Sequence, residues 1–205
     1  MRWCQYISLY LLSFWTFPPL AAQELDPNKY KQWSNIDTLQ WSDFQLSVFD
    51  HHIKYGLKAK AKTSLVYFYR PAIWHQDSCM NVLTAVFRKA SYTRDTTDIN
   101  LLLHEKLHFD IAELCARKLR KALLHLKESQ ANSLENYLAL RDSIFTVSNE
   151  YHDLYDQETL YGLNLVRQSS WKSYIKLELN RYKDYTFKEM MNCNSSACSK
   201  QHKPY

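Results

Sequence analysis

The spacing of apolar positions along this chain changes twice, and the changes mark out its elements. Between Ala59 and Arg70 the run Leu65, Val66, Tyr67, Phe68, Tyr69 is β-branched and aromatic without helical spacing, which predicts a strand closed by Pro71. Asn81 to Tyr92, with Val82, Leu83, Ala85, Val86 and Phe87, predicts a second strand ending in a turn at Ser91. Beyond Asp95, Thr96, Thr97 and Asp98 the period lengthens. Leu101, Leu102 and Leu103 lead in, and Leu107, Ile111, Leu114 and Leu119 continue along a helix. The four polar residues ahead of it are N-cap candidates, and Arg117, Lys118, Arg120 and Lys121 read as a solvated basic C-terminal half.

A polar break, Ser129 to Ser133, separates this helix from a second pattern running from Leu134 to Leu154. There Leu134, Leu138, Ile144 and Val147 are the inward candidates. Tyr155 to Gly162 reads as a loop rich in ligand-capable side chains, and Leu163 to Tyr185 as a last helix with Trp171, Ile175 and Leu179 at i, i+4 and i+8. Strands followed by helices make the expected class α+β: an N-terminal β-sheet, a central helix, and further C-terminal helices. Ahead of the strands, residues 23–43 are polar with scattered aromatics. His51 and His52 sit together in an alternating stretch, where at most one can face a given site.

With 205 residues and 46% apolar content, the chain is long enough for one domain with a real core. Two glycines are too few for a glycine-rich phosphate loop or a dinucleotide fingerprint. The net charge of +5 is spread among acids, so no nucleic-acid partner is expected. Arg2, the apolar run Tyr6 to Phe17, the pair Pro18-Pro19 and the small residues Ala21 and Ala22 read as a signal peptide over 1–22. The mature chain would then be exported to the periplasm or outside the cell, and membrane attachment would arise only through an uncleaved leader. Residues 23–190 form the single domain and 191–205 a polar tail. Four cysteines remain after the leader, Cys79, Cys115, Cys193 and Cys198. They permit two disulfides in any of three connectivities, with Cys115 alternatively a buried thiol.

The candidate chemistry lies inside the central helix, as His104-Glu105-Lys-Leu-His108. Two histidines one turn apart project from one face and can grip one zinc ion. Glu105 stands next to the first and is placed to act as general base on a metal-activated water. A helix this apolar is expected to be buried, so a histidine pair within it needs polar partners. Asp110 and Glu113 lie away from the histidine face; Asp110 is expected to fix the helix by hydrogen bonding.

Trp41-Ser-Asp-Phe44, the extended motif His104-Glu-Lys-Leu-His-Phe-Asp-Ile-Ala-Glu113, and Tyr155-Asp-Gln-Glu-Thr159 with Gly162 occur in an order that resembles a family of secreted bacterial proteins of unknown function predicted to be zinc-dependent proteases. The resemblance spans most of the mature chain, and its most specific part is the central motif. It implies a small zincin-like metalloprotease domain that binds Zn, acts on a peptide or protein substrate and uses His104 and His108 as ligands. The family pattern places a histidine just before the glycine, its natural third ligand. This chain has Tyr161 there. The third ligand is therefore open between Tyr161, as ligand or oxyanion donor, and Glu158, a competing carboxylate, with His152 as a more distant substitute. A catalytically impaired zinc-binding or structural relative is the alternative reading. A third is an exported binding protein whose histidine pair is structural.

Overall fold

The structure is a computed structural model that describes residues 25–47, 59–74, 77–131 and 133–192. The leader, His51 and His52, and Cys193 and Cys198 lie outside the described residues. Strands come first: β1 (Tyr30–Gln32), β2 (Ala61–Lys62), β3 (Leu65–Trp74), β4 (Asp77–Phe87) and β5 (Tyr92–Thr93). Helices follow: α1 (Ile99–Glu128), α2 (Leu134–Thr159), α3 (Leu165–Arg181) and the short α4 (Phe187–Asn192). Strands then helices make the fold mixed α+β, with one small three-stranded antiparallel sheet ordered β1-β4-β3 and a two-stranded ribbon of β2 and β5.

β4 is the central strand, and its residues Val82 to Val86 are buried on both faces, which is why that stretch reads as a continuous apolar run. β3 pairs with it from Leu65↔Val86 to Trp74↔Asp77. The strand therefore does not stop at Pro71, which pairs with Met80. As an edge strand, β3 can accept a residue without an N–H. The second predicted strand also divides: a 3-10 turn at Arg88–Ala90 ends β4, and Tyr92 and Thr93 leave to pair with β2.

α1 is the element around which the helices and the sheet pack. Asp98 caps it, its carboxylate accepting from the Leu101 N–H at 3.0 Å. One flank contributes Leu107, Ile111 and Leu114 to a cluster with Tyr155 of α2 and Trp171 and Ile175 of α3. Another places Ala116, Leu119 and Leu123 against Val82 of the sheet. A third sets Phe109 against Leu39 and Val86. Burial on all these sides explains the high apolar content of this helix.

The basic half of α1 is not solvated as its sequence suggests. Arg117 and Arg120 are buried, and both bind the buried carboxylate of Glu113, at 3.0 Å and 2.9 Å. Their remaining donors go to backbone carbonyls: Arg120 to Val82 and Tyr185, Arg117 to Leu179. The cluster ties α1 to β4, to α3 and to the turn before α4, so each guanidinium has fixed acceptors that offset its desolvation. Asp110 accepts from the Trp33 indole N–H at 2.8 Å and fastens the N-terminal segment to the helix.

On α2 the inward face is Ser148, Tyr155 and Thr159, with Ile144 and Val147 half-buried, whereas Leu134 and Leu138 are exposed. The helix continues through Asp156 and Glu158 to Thr159, so the expected loop begins only at Leu160. Asp156 therefore lies on a helix face. Cys115 is a buried free thiol. Among the described residues, no helix is long and apolar enough to cross a membrane.

Candidate metal centre

α1 and α2 form a helical hairpin joined by a short turn, so the start of α1 lies against the end of α2. His104 and His108 at i, i+4 on α1 meet His152 and Asp156 at i, i+4 on α2. Four polar side chains thus converge between the two helices beside the apolar cluster of Leu107, Ile111 and Tyr155. Tyr155, fully buried, forms the wall: its ring stacks on His104 at 4.6 Å and meets His108 edge-on at 5.0 Å. Burial pushes the Tyr155 phenol far above its ordinary pKa, so it stays neutral there.

The Nε2 atoms of His104 and His108 are 3.2 Å apart, and Asp156 Oδ1 is 3.0 Å from each. Three ligand atoms about 2.0–2.1 Å from a tetrahedral zinc would lie about 3.3–3.4 Å from one another. The observed triangle is close to that size, and its atoms are two ring nitrogens and a carboxylate oxygen, the donor types that divalent cations take. His104, His108 and Asp156 form a group that could hold a metal ion.

The surrounding hydrogen bonds favour the required protonation. His108 Nδ1 lies 2.9 Å from His152 Nδ1. Burial, then the nearby His108, pushes the His152 imidazole down to about 3, so it is neutral and can accept at Nδ1. If Nδ1 carries the only proton and donates it to His152, His108 Nε2 presents its lone pair to the centre in place of the hydrogen bond it otherwise gives Asp156. Burial alone would raise the Asp156 pKa. The hydrogen bonds from His104 and His108 outweigh it and hold the carboxyl well below the usual range, ionised and ready to ligate. His104 Nδ1 is buried and has no hydrogen-bond partner among the described residues.

Glu105 is buried beside this triangle, and its Oε2 accepts from the Thr63 hydroxyl at 2.6 Å. Thr63 belongs to the connection between β2 and β3, so the sheet side of the molecule fixes the carboxylate that the helix supplies. The motif residues and Asp156 line one cleft of about 710 Å3, with residues 59–65 as one wall and Tyr161 and Leu163 on another.

The two candidates for a third ligand fall in different places. Glu158 accepts from the Trp171 indole N–H at 2.9 Å and pairs with Arg167 at 3.3 Å, so its carboxylate is committed to α3. Tyr161 lines the cleft but is 70% exposed, on its rim. Gly162, which follows it, has φ +85°, and a Cβ there would come within 3.1 Å of His104 Cβ and Cγ. The glycine thus lets the turn close over His104, with Tyr155 on the ring's stacking face.

Asp156 was not singled out from the sequence, although the signal was present. His152 and Asp156 repeat the i, i+4 spacing of the histidine pair, which becomes meaningful only if the helix runs past Leu154. No family model, no curated protein and no solved structure matches this chain.

Proposed function

We propose that this chain is an exported, zincin-like, zinc-dependent peptidase in which His104, His108 and Asp156 hold the metal and Glu105 is the general base. The observation that carries this reading is the triangle of two Nε2 atoms and Asp156 Oδ1, part-buried in an open cleft that Glu105 also lines. A divalent ion bound there would supply Lewis-acid polarisation of a carbonyl and of water.

The chain's own groups would do the rest. His152 holds the His108 ring through the Nδ1 contact, and Tyr155 packs against both ligand rings and keeps water off their apolar sides. Thr63 holds Oε2 of Glu105, and Oε1, without a partner among the described residues, would take a proton from the attacking water and return it to the leaving amine. Tyr161, which lines the rim, would serve as a donor to a developing oxyanion rather than as a ligand. With Asp156 as third ligand, the loss of the family's histidine at that position does not remove the metal site.

Elemental analysis of protein purified without added metal should give about one zinc per chain. The Glu105→Gln variant should keep that metal and its thermal midpoint while losing peptidase activity by ~10²-fold or more. A zinc ratio near zero that reconstitution does not raise would refute the metal site. Equal activity in Glu105→Gln would leave only a zinc-holding relative without turnover, the second reading of the motif.

A further inference from the structure

We propose that the mouth of the metal cleft binds extended peptide segments in which bulky apolar residues lie beside acidic ones. This names a substrate class for the peptidase reading and rests on it. Three features of the surface support it.

The first is an apolar ridge. Leu160, Tyr161, Leu163, Leu165 and Val166 are 58%, 70%, 76%, 51% and 78% exposed. Single exposed apolar side chains are ordinary, but a cluster within one short stretch marks a binding surface. One end of the stretch borders the site, since Tyr161 and Leu163 line the same cleft as His104 and Glu105, while Leu165 lines a separate pocket.

The second is rigidity. Leu160 and Tyr161 have φ of 51° and 55°, followed by Gly162 at 85°. Left-handed backbone costs a side-chain-bearing residue roughly 1–2 kcal/mol, and the fold keeps two such residues in succession. The turn is anchored beneath: the Tyr161 N–H donates to the Asp156 carbonyl at 2.8 Å, and the Asn164 N–H to the Thr159 carbonyl at 2.7 Å. The apolar side chains therefore stand on a fixed turn, so a ligand would pay little to order them.

The third is charge. Lys60 and Lys62 are exposed on the wall formed by residues 59–65. On the floor, the carboxylates of Glu105 and Asp156 are balanced by a divalent ion when one is held. Among the described residues of the lip, the ammonium groups of Lys60 and Lys62 then remain. Asp95 lies near Lys60, and the Thr97 hydrogen bonds keep its carboxylate ionised, so it offsets part of the Lys60 charge and leaves Lys62 as the main surplus cation. The lip thus favours acidic neighbours in whatever chain enters, and a ridge at the rim of a deep cleft fits a ligand that enters it better than one lying flat across it.

Binding, not turnover, tests this, using the full-length Glu105→Gln protein loaded with zinc and short fluorescent peptides. A peptide with central Leu and Phe flanked by Glu should bind about tenfold more tightly than the same core flanked by Lys. Lys60→Glu with Lys62→Glu should abolish or invert that preference. Leu163→Ser should weaken the apolar peptide severalfold and leave the thermal midpoint unchanged, because the side chain is mostly exposed. Equal affinity for both flanks, or no binding of either peptide, would overturn the proposal. So would tight binding to anionic phosphatidylglycerol vesicles without peptide preference, or dimerisation through the ridge that Leu163→Ser abolishes. The zinc ratio on the same sample is read separately, so failure here and failure of the metal site remain distinguishable.

Discussion

Replacing Gly162 by Ala asks whether the turn at the end of α2 supports the metal centre. The residue has φ +85°, a conformation that costs a residue with a Cβ roughly 1–2 kcal/mol. The added methyl would also sit 3.1 Å from His104 Cβ and Cγ and 3.3 Å from Nδ1, closer than ordinary contact of 3.4–4 Å. The imidazole cannot retreat far, because the fully buried Tyr155 ring stacks on it at 4.6 Å. A few tenths of an ångström must therefore be found by moving the turn or by tilting His104. The backbone cost alone predicts a fall in thermal midpoint of ~2–8 °C for a domain of this size. Tilting Nε2 away from Asp156 and His108 should weaken zinc by roughly tenfold, as disturbing the support of a metal ligand usually does. Differential scanning calorimetry of metal-free protein and chelator competition on the loaded protein separate the two effects. A lower midpoint with unchanged zinc affinity would show strain without coupling to the site. No change in either would refute the close approach of Gly162 to His104.

Three further outcomes test other parts of the structure. Asp156→Asn should weaken zinc by tenfold or more while Glu158→Ala leaves the affinity nearly intact, since Glu158 is committed to Trp171 and Arg167; chelator competition reads both. Glu113→Gln should destabilise by about 3–5 kcal/mol in urea unfolding, because it leaves Arg117 and Arg120 buried without a counter-charge. Burial raises the Asp110 pKa more than the Trp33 hydrogen bond lowers it, so the folded state binds this proton more tightly than the unfolded chain. Its ionised form then costs stability at neutral pH. That cost fades as pH falls through the raised folded value and is gone below the unfolded value of about 3.9. Asp110→Asn, which keeps an acceptor for Trp33, should raise the midpoint at pH 7 and give no gain in strong acid.

The one-turn spacing of His104 and His108, the carboxylate of Glu105 beside them and the order of strands and helices were legible along the chain because they depend on local spacing. His104 and His108 share a face whenever residues 99–128 are helical, and the leucines around them make that helix hard to avoid. The cap at Asp98 was readable on the same local grounds, whereas Asp110 could be read as a hydrogen-bonding residue without its partner, Trp33, which lies far away in sequence. What the chain alone left open depends on neighbours distant in sequence. Asp156 becomes a candidate ligand only because a hairpin lays the end of α2 on the start of α1, and Glu158, two residues on, points to α3 instead. Arg117 and Arg120 read as surface charges until the sheet and α3 supply their acceptors. Thr63 carries no motif, and only the packing of the β2–β3 connection against α1 brings its hydroxyl to Glu105. Periodicity fixes which residues share a face; which face meets which is settled by burying all the apolar faces at once, and that is a property of the whole fold.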